Sequence, residues 1–401
     1  MSKSSNRKHV LMLVQNLPVP FDRRVWLEAS TLRDEGYLVS IFCPATSAYP
    51  KLRETVEGIE VYRFPLPWEG RGKVGIILEY LWSIFCLFSM TTFLSLRRRV
   101  HVVHFCNPPD LLFLCALPAK MIWRSKLIFD QHDLCPEVWE TKSRSSGSII
   151  LNLLKSFEKA SYKISDIVIS TNESYKKLAI TRGGKDESSV FVVRSAPKKS
   201  FMNNMTSPAR DCRGTVRLVY LGTMGSQEGI DLLLEALQIL KNRNNQVEIN
   251  LDLIGDGPER RNLEKNSQLL GLEQIAHFHG RVSDSVLREL VSSADIALNP
   301  DRPSLFNSLS SMNKIVEYMA LGVPIVQFHS IEGEYTARAA SIYVHEPTPL
   351  ALADAIDNLR LAQRERQNMK NFCLLRFKEL CWEIQAETLG TVYENLLNDK
   401  G

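Results

Sequence analysis

Short apolar runs of strand length alternate with stretches of helical periodicity along nearly the whole chain. HVLMLVQNL (9–17) predicts a first strand and DRRVWLEASTLRDEGY (22–37) an amphipathic helix. YLVSIFCP (37–44), IEVYRFP (59–65), VHVVHFCNP (100–108), KLIFDQHD (126–133), DIVISTN (166–172) and SVFVVRSAP (189–197) read as further strands. A polar stretch, KKSFMNNMTSPARDCRG (198–214), interrupts the pattern and reads as a linker. The alternation restarts with TVRLVYLGTMG (215–225), VEINLDLIGDG (247–257), IAHFHG (275–280), DIALNP (295–300) and PIVQF (324–328), and helices run from about 350 to 398. Strand–helix alternation of this kind builds mainly parallel sheets. The expected fold class is α/β: two doubly wound, Rossmann-like domains of similar size facing a central cleft. In such sheets ligands bind outside the carboxyl ends of the strands.

One run departs from the alternation. VGIILEYLWSIFCLFSMTTFLSL (74–96) is apolar on nearly every face, has Glu79 as its single charge and ends on Arg97, Arg98 and Arg99. At about 1.5 Å per residue it is long enough to cross a bilayer. A crossing would put the strands before and after it on opposite sides of the membrane, yet both read as parts of one sheet. The expectation is a helix buried on one side and lying in a membrane surface on the other, with residues 74–99 making the contact and the arginines at the headgroups. The first apolar run reaches polar Gln15 and Asn16 too soon for a signal peptide. The expected location is cytoplasmic, peripheral on the cytoplasmic face of the inner membrane.

Composition narrows the picture further. With 401 residues, 44% hydrophobic and 23% charged, the chain is globular and can bury two cores. A net charge of +4 is too small to argue for nucleic acid and suits phosphates or a membrane surface. The eight cysteines form no CxxC pair and follow no disulfide framework. His277 and His279 would share a strand face, but no acidic or Cys partner accompanies them in sequence, so no metal and no other cofactor is expected.

Three strand ends in the second half could carry chemistry. YLGTMGSQEGIDLLLEAL places Gly222, Gly225 and Gly229 in a strand–turn–helix, and IGDGPERRNLE places Gly255, Asp256 and Gly257 likewise, so main-chain N–H groups can approach an anion. In SSMNKIVEYMALGVPIVQF (310–328), Ser310 and Ser311 are expected to cap and open a helix. Together these suggest a phosphorylated ligand, while the lack of G-x-G-x-x-G gives no support for a dinucleotide.

GDGPERRNLE, HGRVSDSVLREL, ADIALNP and EYMALGVPIV stand in the same order as in the retaining nucleotide-sugar glycosyltransferases of family 4, with the GT-B fold. FDRRVWLEASTLRDEGY, CNPPD (106–110) and FDQHDLCPE (129–137) resemble the branch found in bacterial polysaccharide clusters, so the likeness covers essentially the whole chain. The resemblance implies an acceptor-binding domain over 1–200, a nucleotide-sugar domain over 214–381, and a last helix, 382–398, packing back on the first. It places Glu317 on the ribose, Arg281 and Val282 along the base, and His132 and Asp133 beside the reacting sugar. Gly222, Thr223, Gly225, Gly257, Ser310, Ser311 and Lys314 fall around the donor, and Asp22, Arg23 and Arg24 around the acceptor, with Asp22 also a plain N-cap. Two departures bear on activity. Thr223 and Glu228 stand where the family has an Arg and a Lys on the diphosphate, and Leu309 stands where it has its first glutamate. Losing two cations there would cost several kcal/mol of transition-state stabilisation, and Lys314 is the nearest replacement.

The implied function is transfer of a sugar, with retention, from a nucleotide-sugar donor (UDP-linked by preference) to a polyprenyl-diphosphate-linked saccharide in cell-surface polysaccharide synthesis. The donor's own phosphate would then act on the acceptor hydroxyl, and no protein nucleophile would be needed. The alternatives are a non-catalytic nucleotide-sugar-binding or scaffold partner, and a nucleotide-sugar epimerase on the same fold.

Overall fold

A computed structural model describes residues 7–67, 72–142, 149–202, 215–243 and 248–398. The chain divides into two units, Met1–Ser195 with Ile384–Gly401, and Ala196–Glu383. Most of the expected linker, 203–214 with Cys212, lies outside the described residues.

The first unit is built on eight strands: β1 (His9–Val14), β2 (Leu38–Pro44), β3 (Arg53–Val56), β4 (Ile59–Phe64), β5 (Val102–Cys106), β6 (Lys126–Gln131), β7 (Ile167–Ser170) and β8 (Val190–Val192). They lie in the order β3-β4-β2-β1-β5-β6-β7-β8. All pair in parallel except β3, which folds back antiparallel on β4. β1 and β5 are buried along their whole lengths, as expected of parallel strands covered on both faces. β3 was not expected: its residues, RETV, have no apolar run, because it is an edge strand with two exposed positions. The expected strand at 189–197 shortens to three residues.

β4 and β5, on either side of the 26-residue helix Gly72–Arg97, belong to the same sheet. The helix is long and apolar enough to cross a membrane by length and composition, and the strands on either side of it share one sheet. The last helix, Trp382–Asn398, buries Leu389, Val392 and Tyr393 completely. Tyr393 hydroxyl meets His104 Nδ1 at 2.8 Å, so this C-terminal segment completes the core of the first unit.

The second unit has six parallel strands: β9 (Thr215–Leu221), β10 (Glu248–Ile254), β11 (Ala276–Gly280), β12 (Ile296–Asn299), β13 (Ile325–Phe328) and β14 (Ser341–Val344). Their order is β11-β10-β9-β12-β13-β14. The order of strands reverses between β9 and β12 here, and between β1 and β5 in the first unit. Those reversals open the crevices where open α/β sheets bind ligands.

One helix start differs from its expected place. Ser310 is the C-cap of a short helix, Leu305–Leu309, and the next helix runs Asn313–Ala320 with Met312 as an N-cap whose side chain makes no capping bond. The two serines occupy the link between the helices, because Met312 is extended and the helix cannot begin before it.

Candidate active site

In the second unit the β9/β12 crevice gathers a small charged cluster. Lys314, on the first turn of the Asn313–Ala320 helix, is buried and bonds Asp301 Oδ1 at 2.8 Å. Its ammonium also lies 3.5 Å from the Tyr220 hydroxyl, and that hydroxyl donates to Thr223 O at 2.7 Å. A Cβ on Gly222 would stand 3.6 Å from Lys314 Nζ, so the ammonium faces the main chain of the loop after β9. Lys314 thus lies beside the loop after β9 with a carboxylate on it. Burial pushes the Asp301 carboxyl up, and the Lys314 ammonium opposes that push.

Glu228 adds a second acid. Its carboxylate folds back over Gly225, where a Cβ would come within 2.6 Å of Oε2, and that oxygen is buried without a hydrogen-bond partner among the described residues. Burial, then the charge of Asp301, raises the Glu228 carboxyl above its ordinary range. The cluster therefore holds one ammonium between two carboxylates whose ionisation burial resists.

Loops from neighbouring strands are tied around it by main-chain bonds. Gly222 N donates to Ile254 O at 3.0 Å, Met224 N to Asp256 O at 3.1 Å and Gly255 N to Gly280 O at 2.9 Å. Gly257 serves this packing: a Cβ there would lie 2.4 Å from Met224 O, a contact no side chain could make. Asp256 accepts from Gly257 N at 2.9 Å, a turn role. Arg281 is exposed and Val282 half-buried just beyond β11, ahead of a helix capped by Ser283. Thr223 is exposed, and Glu317 is half-buried one turn beyond Lys314, on the same helix face. Ser310 is buried and Ser311 half-buried in the link before that helix. A small pocket opens beside the cluster between the ends of β12 and β13, lined by Asn299, Asp301, Asn307, Met312 and His329 among others.

In the first unit the chemistry centres on a buried ion network. Arg24 Nε and NH2 donate to the two oxygens of Asp130 at 3.2 and 2.7 Å. Its NH1 donates to Val193 O at 2.7 Å and Ser195 Oγ at 3.2 Å, and NH2 also lies 3.0 Å from Glu28 Oε1. The guanidinium is thus turned into the unit, where an acceptor would have to compete with these partners for Arg24. Arg23, one position earlier, is exposed. Asp22 is the N-cap of the Arg23–Asp34 helix, accepting from Val25 N at 3.1 Å.

His132 Nε2 is hydrogen-bonded to Asp130 Oδ2 and also faces Arg24 Nε at 3.0 Å. Arg24 can only donate and the Asp130 carboxylate only accepts, so His132 Nε2 is held between a donor and an acceptor. Asn107 Oδ1, just past β5, accepts from the main-chain N–H of His132 at 2.6 Å and of Asp133 at 3.1 Å. The histidine and aspartate expected beside the sugar are thus fixed at the carboxyl edge of the first sheet, next to its strand reversal. Burial and the charge of Asp130 hold Glu28 well above the carboxylate range. Asp130, although burial opposes its charge, is held well below that range by Arg24 and His132. Glu28, His104, Cys106 and Asp130 bring four donor atoms within 4.8 Å of one another, and the positive charge beside them is the Arg24 guanidinium. Elsewhere His279 has an acidic neighbour that the sequence did not reveal, Asp252 of β10, at 2.6 Å.

Comparison with known proteins fits both halves of this geometry. Residues 22–194 match a glycosyl transferase 4-like domain, and residues 215–361 match the glycosyl transferases group 1 domain. The chain belongs to the group 1 glycosyltransferases of the GT-B fold. It is 24% identical over 237 residues, 55% of the chain, to chitobiosyldiphosphodolichol beta-mannosyltransferase of Candida albicans, covering 51% of that protein. It is 22% identical over 313 residues, 77% of the chain, to the phosphatidylinositol N-acetylglucosaminyltransferase gpi3 subunit of Schizosaccharomyces pombe, covering 62% of it. This glycosyltransferase therefore spans between half and two thirds of these curated relatives. Its fold is that of Anabaena HepE, solved in complex with UDP-glucose, with a TM-score of 0.72, 16% identity, and coverage of 96% of this chain and 99% of that one.

Sequence reasoning missed four residues of this glycosyltransferase that the structure places at its two strand reversals. Asp130 could have been found, since residues i and i+2 of a strand share a face and Asp130 precedes His132 by two. Asn107 lies in the quoted CNPPD. Asp301 and Tyr220 carry no local signal, because their role arises only when β9 and β12 pair.

Proposed function

We propose that this glycosyltransferase moves a sugar from a nucleotide-sugar donor, with UDP as the favoured nucleotide, to a polyprenyl-diphosphate-linked saccharide, with retention. The observation that carries the reading is the cluster of Gly222, Tyr220, Asp301 and Lys314 at the strand reversal of the group 1 domain, with Glu317 one turn further along the same helix face. An ammonium beside the loop after β9 is equipment a leaving nucleotide diphosphate requires, and a carboxylate suits a pair of ribose hydroxyls. His132, half-buried at the carboxyl edge of its sheet, suits a hydrogen bond to a sugar hydroxyl. The UDP-glucose complex of HepE supports the donor class. The names of both curated relatives contain a lipid, dolichol or phosphatidylinositol, which supports a lipid-linked acceptor.

The test is transfer of labelled sugar from a panel of nucleotide sugars into the lipid fraction of native membranes. Label entering lipid from one donor, and lost with Glu317→Ala, is the expected result. Unchanged transfer by Glu317→Ala would remove Glu317 from the site. A non-catalytic binder is the second reading, favoured by Leu309, by Glu228 and by the pairing of Lys314 with Asp301. Nucleotide-sugar binding without any transfer would establish it.

A further inference from the structure

The helix Gly72–Arg97 is turned inside out for a water-soluble protein. Its buried positions are Ser83, Leu87, Thr91, Leu94 and Ser95, and the hydroxyls of Thr91 and Ser95 have no hydrogen-bond partner among the described residues. Its exposed positions include Leu81 at 57%, Phe85 at 63%, Phe93 at 55% and Leu96 at 72%. A helix selected only for packing against its own protein would bury the phenylalanines and expose the hydroxyls.

A second helix, Phe113–Trp123, lies against it. Trp123 Nε1 donates to Ser95 O at 2.7 Å and Cys115 Sγ approaches Ile84 O at 3.5 Å. The end of that helix leaves Met121 80% and Ile122 41% exposed, continuing the apolar surface. Exposed Arg97, Arg99 and Arg124 stand at the same end, with the Arg97 guanidinium 3.8 Å over the Phe93 ring.

We propose that the two helices form one plate that seats the first unit on an anionic lipid bilayer, with the helix axes along the membrane surface and the arginines at the headgroups. Apolar area of this extent at the surface marks an interaction site, and basic residues gathered at one end match phosphate headgroups. A second copy of this chain fits less well. The one acid of the first helix, Glu79, is already bonded by Gln15 at 3.5 Å, which leaves a facing plate little to offer three arginines. Gln15 directly follows β1, so the Glu79 end of the plate lies at the carboxyl edge of the sheet, the edge that carries His132. The plate would therefore hold that edge close to the bilayer, where a lipid-linked acceptor resides. This last step rests on the acceptor reading above; the docking itself does not.

The test is flotation of the full chain with vesicles of phosphatidylcholine alone or mixed with phosphatidylglycerol. Wild type is expected to float with the mixed vesicles. Leu81→Glu with Phe85→Glu, and separately Met121→Glu with Ile122→Glu, should each cut the bound fraction roughly tenfold. Because all four side chains are exposed, circular dichroism should be unchanged. Arg97→Gln, Arg99→Gln and Arg124→Gln together should abolish the preference for the anionic lipid. Full binding by the Met121/Ile122 variant would overturn the two-helix plate. Absence of flotation, with the chain sedimenting as a dimer that these substitutions dissociate, would replace the bilayer with a second copy. Docking without sugar transfer would refute the acceptor reading and leave the plate standing, and transfer without docking would do the reverse.

Discussion

Two adjacent arginines have opposite fates, and stability measurements should separate them. Arg24 is held by Asp130, Glu28, Val193 and Ser195 in the interior, whereas Arg23 is exposed. Removing one partner from a buried ion network leaves uncompensated charge, so Arg24→Ala is expected to cost about 3–5 kcal/mol in urea unfolding. Arg23→Ala should stay within about 0.5 kcal/mol. If Arg24 instead served an acceptor phosphate, its variant would raise KM and leave stability alone. Lys314 calls for a different design, because its loss also strands Asp301. Lys314→Met should lower kcat/KM about 10²–10³-fold, the usual effect of removing one charge-stabilising donor. Adding Asp301→Asn should restore most of the lost stability but none of the activity, which separates the two roles of the ammonium. Neither pairing could be read from the chain. Arg24 and Asp130 are 106 positions apart, and Lys314 and Asp301 are 13 apart on either side of a short helix. Residue types and local spacing locate strand ends well, but not which charge will meet which.

At the scale of elements, legibility followed burial. β1, β2, β5 and β6 are buried nearly throughout, so unbroken apolar runs announced them. β3 and β14 are four-residue edge strands with half-exposed positions; RETV has no apolar run, and SIYV, though rich in strand formers, is too short a run to announce itself. The parallel packing also sets a pH response. His9, opening β1, is 2% exposed and bonds Ser40 Oγ through Nε2 at 3.0 Å. Burial, then the nearby Arg98, lowers its pKa from 6.5 to about 4. As pH falls through the ordinary histidine range the unfolded chain takes up a proton that folded His9 refuses. Its contribution is therefore complete above about pH 6.5 and is lost progressively toward pH 4, up to about 3 kcal/mol in all. Between pH 7 and 5 the difference in unfolding free energy between wild type and His9→Gln should shift by about 2 kcal/mol against wild type. Equal pH slopes for the two proteins would show that His9 titrates normally in the fold.

For the whole molecule the decisive feature is that its first unit is discontinuous. The two-domain alternation was plain in the sequence, and the resemblance to family 4 glycosyltransferases implied a returning helix. Its energetic importance emerges only from the packing. Residues 384–401 belong with residues 1–195, and the helix they contain buries Leu389, Val392, Tyr393 and Leu396. Tyr393 also packs on Tyr37 with ring centroids 5.5 Å apart and meets buried His104 through its hydroxyl. Burying four such side chains contributes about 1.5–3 kcal/mol each, a sum as large as the net stability of an ordinary domain. A fragment of residues 1–195 should therefore fail to fold cooperatively, expose apolar surface to a fluorescent dye and aggregate. Supplying residues 384–401 as a peptide should rescue it, and a peptide carrying Tyr393→Ala should rescue it poorly. Residues 196–383 form a continuous unit with its own six-stranded sheet, and that fragment should unfold in a single transition without help. A cooperative melt for 1–195 alone would show that the returning helix decorates the first core and does not complete it.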